Sequence, residues 1–299
     1  MKSRSIASNY KKIIANILER SSRYNYIFLL LPPLIYISAF FAIPLIWTIR
    51  ISFYPGGAFT YKPGFTFSHY LRYLSDPYYL GVSLYTLKLT AMVVPFVLIC
   101  SYFVAYLIAT SSQKKATLYL ILLAVPMFTT EVIRALGWQI MLSQHGVINN
   151  LLLRLGLIDK PLHLIYCDGA IVIALIHSII PYATLILIGV IVGIKRSYIE
   201  AARVFGANRL KAFYHVTLPL SMPGISGALV IAFMWCMGTY AIPSFLGSGA
   251  QRTMTMVIED QILSVFNWPF GDAIAGILVI ITLFCLIIYF KFSEAKETQ

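Results

Sequence analysis

KRSYIEAARVFGANRLKAFYHVTLPLSMPG, from Lys195 to Gly224, is a basic stretch enclosed on both sides by uncharged apolar runs. Ser197 and Glu200 have the spacing of a capping box, in which each side chain satisfies a backbone N–H of the other residue. Ala201, Ala202 and Phe205 then form a compact apolar face, and Gly206 stands where a helix ends at positive φ. Asn208 can cap a second helix that carries Leu210, Phe213 and Tyr214 on one side, away from Arg209 and Lys211. Pro219 is expected to take the chain out of helix, and Pro223 to lead it into the next apolar run. Two readings fit such a helix, sharp turn and helix: a surface that a partner protein approaches closely, or an interfacial hairpin lying on lipid.

The flanking runs decide the environment. Of 299 residues, 59% are apolar and 11% charged, and the mean hydropathy is +0.80, whereas an ordinary soluble domain is about 25% charged. A spanning helix needs about 20 mostly apolar residues, because lipid offers no partner to backbone N–H and C=O groups. Six stretches qualify: Tyr26–Ile49, Val82–Ala109, Leu118–Leu136, Ala170–Ile194, Gly224–Phe245 and Ala273–Phe290. The first is too long for the apolar core of a signal peptide and reads as a retained helix. The expected architecture is an all-α membrane protein of six transmembrane helices, with a tail at 1–25, the membrane domain at 26–292 and a short tail at 293–299.

Orientation follows from Lys and Arg, which are retained in the cytoplasm. Fifteen of them lie on the side of the two tails, Lys114, Lys115 and the 195–222 loop, against six on the other side at Arg50, Lys62, Arg72, Arg154, Lys160 and Arg252. Both termini are therefore expected in the cytoplasm. The net charge of +12 is an expression of topology and of attraction to anionic lipid, not a nucleic-acid footprint. Gly146–Leu157 and Thr253–Val265 read as short amphipathic helices on the outer face, and Gly56–Asp76 as an ordered external cap.

Glu200-Ala201-Ala202, Gly206, and Val216-Thr217-Leu218-Pro219, at this spacing, closely resemble the EAA motif of permease subunits of binding-protein-dependent ABC importers, with Val216 where isoleucine is usual. The resemblance implies the type I importer permease fold. It also implies that Glu200, Ala201, Ala202, Gly206, Leu218 and Pro219 form coupling helices seated on a cytoplasmic ATPase dimer. The same resemblance implies a second, homologous permease subunit and an extracytoplasmic substrate-binding protein as partners. Arg134–Asn149, Ile180-Pro181-Tyr182 and Asn267–Gly271 look like the spermidine/putrescine-type subfamily, in an order closer to the first permease of a two-permease system. A polyamine is the solute this favours; ferric ion, aminoethylphosphonate or an opine are alternatives within related permeases. Outside the family, an ion-coupled secondary transporter or a non-transporting scaffold remain open.

An ionisable residue in hydrocarbon is a functional candidate, because it costs several kcal/mol without a partner. Glu131 can neutralise itself against Arg134 three residues on, or stop a cationic solute. Lys88 can snorkel to the outer surface. Asp272 reads as a helix cap or as a ligand, and His177 and Gln139 as donors to a neighbouring helix carbonyl. Trp235 and Tyr240 can line a cation path or simply pack. No Walker A, HExxH, GxSxG or CxxC pattern occurs, so no catalytic residue, metal site or cofactor is expected and ATP hydrolysis falls to another chain.

Overall fold

The computed structural model describes residues 30–297, so the 1–25 tail and the start of the first expected span lie outside the described residues. The helices are α1 (Leu30–Ile51), α2 (Ser68–Ser75), α3 (Pro77–Thr110), α4 (Gln113–Phe128), α5 (Glu131–Leu142), α6 (Val147–Arg154) and α7 (Asp168–Gly193). They continue with α8 (Arg196–Val204), α9 (Arg209–Leu220), α10 (Met222–Met237), α11 (Ala241–Leu246), α12 (Met254–Glu259) and α13 (Trp268–Glu297). A two-residue hairpin, β1 (Gly56–Gly57) with β2 (Thr60–Tyr61), pairs antiparallel before α2.

Four of these helices are long and apolar enough to cross a membrane: α1, α3, α7 and α13, the last over Trp268–Lys291. The count reaches six when two bent pairs are each taken as one span. The expected third span, Leu118–Leu136, is not one helix: α4 ends in a 3-10 turn at Val125–Phe128, and the chain from Glu131 leaves at 96°. Pro126 tightens that turn, Thr129 is extended, and Thr130 restarts the helix by accepting a hydrogen bond from the Ile133 N–H at 3.3 Å. The expected fifth span also breaks, because α10 stops at Gly238 and α11 begins anew at Ala241.

Helices α3, α7 and α10 form the centre, with Val93, Val97, Ala105, Ala174, Ile179, Ala183, Leu187, Ala228 and Ala232 fully buried. Gly224, Ala228, Ala232 and Cys236 repeat every fourth residue on α10, all buried. Small residues at this spacing let backbones approach, the main route to helix association where lipid supplies no hydrophobic drive. The approach is tight at Gly224, where a Cβ would lie 3.0 Å from the side chain of Val190 on α7.

A second apolar cluster ties α2 and the start of α3 to α12 and α13 through Tyr73, Tyr79, Val82, Met254, Val257, Phe270 and Ile274. Arg72 adds a guanidinium 4.4 Å from the centre of the Phe270 ring. Residues Gly146–Leu157 and Thr253–Val265 contain helices α6 and α12, as expected, with α12 continued by a π-helical turn at Asp260–Ser264.

Candidate functional site

Two places carry the candidate residues. The first is the α8–α9 segment. Helix α8 begins at Arg196, so Ser197 lies inside it and the expected capping box does not form; no side chain caps this end. The other end obeys the sequence. Gly206 sits at φ +84°, the Gly206 N–H donates to Arg203 O and the Ala207 N–H to Ala202 O, both at 3.0 Å. This paired closure satisfies carbonyls that a helix end otherwise leaves bare. Asn208 Oδ1 then accepts from the Lys211 N–H at 2.8 Å and starts α9.

Pro219 does not end the helix as expected. Helix α9 widens into a π turn at Phe213–Thr217, which shifts the pairing so that Pro219 falls at the start of a new short helical segment, where its missing N–H is not needed. The chain then turns 63° into α10. Phe213 packs edge-on between Tyr102 and Tyr106 of α3, at 5.8 and 5.3 Å between ring centres. Tyr102 also shares a 3.0 Å hydrogen bond with Ser221. These contacts anchor the segment, and nothing in the local sequence signals them.

The rest of the segment faces outward. Glu200, Ala201 and Pro219 are exposed, whereas Ala202 and Leu218 are half-buried. Phe205 is 91% exposed and Val204 85%, so the apolar face includes Val204, which the sequence reading leaves out. Leu210 and Tyr214, one turn apart on α9, are exposed as well, while Phe213 parts from them to pack inward.

The second place is the joint where α5 starts and α10 ends. Glu131 occupies the first turn of α5, where the helix dipole favours an anion. Its Oε1 accepts from the Thr239 hydroxyl at 3.4 Å. Thr239 O accepts in turn from the Thr253 hydroxyl at 3.2 Å, joining α12 to the same joint. Tyr240, next in the chain, is exposed and has Glu259 and Asp260 close to its hydroxyl. Asp260 is neutralised by Arg252 at 2.6 Å. Trp235 stands one turn back from Thr239, its ring 4.7 Å from that of Tyr182 on α7.

Several expected pairings are corrected here. Glu131 and Arg134 do not form an ion pair: Arg134 is buried at 9% exposure and its Nη1 donates to the carbonyl of Ser178 on α7 at 3.4 Å. The break at Thr129 puts Glu131 at a helix start facing Thr239, while Arg134 turns to α7, where Ser178 lies less than one turn before Pro181. His177 does not meet a carbonyl but accepts from the Trp138 indole N–H at 3.4 Å, and Gln139 makes no such bond among the described residues. Lys88 is exposed and ion-paired to Asp168 at 2.8 Å, a partner on α7 that the sequence does not signal. Asp272 is not a cap: α13 starts at Trp268 with Pro269 second, which leaves Asp272 inside the helix, buried, and facing α1 and not the Glu131 joint.

Against known proteins, the family model described as binding-protein-dependent transport system inner membrane component matches residues 5–297. A relative in Escherichia coli (strain K12), the spermidine/putrescine transport system permease protein PotB, is 33% identical over 233 residues, covering 78% of this chain and 84% of that protein. A Haemophilus influenzae protein of the same name is 28% identical, covering 84% and 88%. The crystal structure of a bacterial ABC transporter involved in the import of the acidic polysaccharide alginate contains a chain with TM-score 0.74 and 20% identity, covering 89% of this chain and 94% of that one. With its apolar spans, its broken third and fifth segments and its Gly206 turn, the chain belongs to the binding-protein-dependent inner membrane component family and is a permease subunit of a bacterial ABC importer, resident in the inner membrane.

Proposed function

We propose that this permease imports a small organic polycation, most simply a polyamine of the spermidine or putrescine kind, handed over by an extracytoplasmic binding protein. The observation that carries the reading is Glu131 at the start of α5, bonded to Thr239 at the end of α10, with Tyr240 next in the chain and Glu259 near the Tyr240 hydroxyl. An aromatic ring and carboxylates without a cationic partner among the described residues, with Glu131 and Tyr240 at broken helix ends, suit a flexible chain of ammonium groups. Trp235 and Tyr182 extend the aromatic lining one turn further along. The relatives named for spermidine and putrescine support the same solute class. Asp272 is set apart from this path by its position.

The exposed face of α8–α9 is the docking surface for a cytoplasmic ATPase dimer in this reading. Glu200, Ala201, Ala202 and Gly206 form the contact, with Leu218 and Pro219 at its base, and a groove on the ATPase covers Val204 and Phe205. The Phe213 clasp on Tyr102 and Tyr106 then passes a push on α8–α9 to α3. A second, homologous permease completes the path. Both termini, Lys114 and the 195–222 loop face the cytoplasm, whereas Lys62, Asp159 and Glu259 face outward. An impermeant thiol reagent should label Lys62→Cys but not Lys114→Cys in intact cells; the reverse pattern inverts the topology.

The solute reading is tested with the importer reconstituted with its partner subunits. Glu131→Gln should cut putrescine uptake by about tenfold or more, the worth of one charge-assisted contact. ATPase stimulation by the loaded binding protein should stay near wild type. Unchanged uptake, or a binding protein that selects anions, sinks the polycation reading while leaving the family assignment intact.

A further inference from the structure

A carboxylate inside an apolar helix bundle needs a counter-charge or a proton, since burying it unpaired is costly. Asp272 is such a group. It is 7% exposed, and among the described residues no side chain bonds or pairs with it. Thr48, which also lines the gap, spends its hydroxyl on Pro44 O of its own helix at 3.1 Å. The carboxylate borders a cavity of about 560 Å³ between α1 and α13, within the roughly 300–1,000 Å³ typical of small-molecule sites.

The walls say what would fit. Trp47 of α1 and Trp268 of α13 line the cavity together with Ile43, Ile51 and Ile262. One carboxylate with two indoles and aliphatic side chains offers too few oxygens for a hard metal ion, which takes six or more of them or water. It does offer what an alkylammonium uses: one anionic acceptor, aromatic faces, and apolar surface for the carbon attached to the nitrogen. Arg50 already lies 5.5 Å over the Trp47 ring, but it forms no ion pair with Asp272. The local cation therefore leaves the carboxylate unneutralised.

We propose that the cavity between α1 and α13 binds a primary ammonium group, with Asp272 as its counter-charge and Trp47 and Trp268 as its aromatic walls. The group is either the head amine of a membrane aminophospholipid or the end of a soluble polyamine. The site is distinct from the Glu131 joint and does not depend on what the importer carries. An occupant there would pin α1, whose Leu30–Ala42 part is exposed over nearly its whole surface, to the last helix.

The test uses the purified importer complex, delipidated in detergent and carrying Glu131→Gln to remove the other ammonium site. Native mass spectrometry follows titration with putrescine, with phosphatidylethanolamine, and with phosphatidylglycerol, which lacks the amine. At least one amine probe should bind, and Asp272→Asn should weaken it about tenfold. Phosphatidylethanolamine bound in preference to phosphatidylglycerol, without putrescine, assigns the site to lipid; putrescine binding assigns it to a solute. If Asp272→Asn does not assemble, Trp47→Leu and Trp268→Leu take its place and should each weaken the amine probe severalfold. No preference for either amine, or an amine bound equally by the wild-type site and all assembled variants, overturns the proposal.

Discussion

The α8–α9 turn and the Glu131 joint are held together in opposite ways. Hydrogen bonds within the turn reach at most five residues along the chain, from Ala202 to Ala207 and from Asn208 to Lys211. Those of the joint reach from Glu131 to Thr239 and from Thr239 to Thr253. A turn closed by local bonds keeps its shape wherever its helices travel, so it suits a surface presented to a partner. A joint closed across three segments changes whenever any of them shifts, so it suits a place where a path opens and closes.

The strongest way to break this comparison is at Gly206. Its φ of +84° penalises most side chains by about 1–2 kcal/mol, Asn least, yet an added Cβ would meet nothing within 4 Å in this chain. Gly206→Ile should abolish uptake and ATPase stimulation together, at normal membrane abundance, because the turn is strained and its outer surface filled. Gly206→Asn, which tolerates positive φ, separates the causes. Recovery of most of the activity would mean that backbone strain alone was at fault, whereas continued failure points to a partner that needs the bare glycine. Normal transport by Gly206→Ile would end the docking assignment. Glu200→Lys should act in the same direction, measured in the same assay, without disturbing the fold of the exposed helix.

At the joint the expected pattern is the reverse. Tyr240→Leu removes an exposed aromatic face beside Glu259 and should lower polyamine uptake roughly two- to fivefold, matching the range of about 0.5–1 kcal/mol for an exposed cation–π contact. ATPase stimulation should be retained, since the α8–α9 surface is untouched. If Tyr240→Leu and Gly206→Ile lose both activities in parallel, the two regions are not functionally separate and the contrast between them fails.

The same contrast explains what the sequence could disclose. Gly206 and Asn208 are local signals for local geometry, and both act as their residue types require. The break at Thr129 carried local signs as well, since Pro126 and then Thr129-Thr130-Glu131 stand inside the stretch as a breaker and a helix start, but averaging hydropathy over Leu118–Leu136 hides them. No spacing connects Glu131 with Thr239, 108 residues away. Arg134 three positions on is the nearer partner by sequence, and it is tertiary packing against α7 that draws it away. Asp272 is different: Pro269 at the second position of a helix was a readable sign that α13 begins at Trp268 and that a cap four residues later was misplaced. The exposed Val204 was also readable, as the residue one turn on from Ala201 at the edge of the same face.

The smallest expected effect tests the local logic of the turn itself. Sequence spacing makes Ser197 and Asn208 look like equivalent caps, but only Asn208 accepts a backbone hydrogen bond, at 2.8 Å from the Lys211 N–H. Ser197 lies within α8, one residue past its start, and its hydroxyl makes no capping bond. Asn208→Ala should therefore cost about 1 kcal/mol of local stability, seen as faster amide exchange across Arg209–Ala212 in the purified complex. Ser197→Ala should stay within about 0.5 kcal/mol of wild type, as exposed substitutions away from such bonds do. A larger loss in Ser197→Ala than in Asn208→Ala would mean that α8 begins later in the working complex than at Arg196, with the capping box formed after all. In that case the first turn of the docking helix would be set by its partner and not by this chain alone.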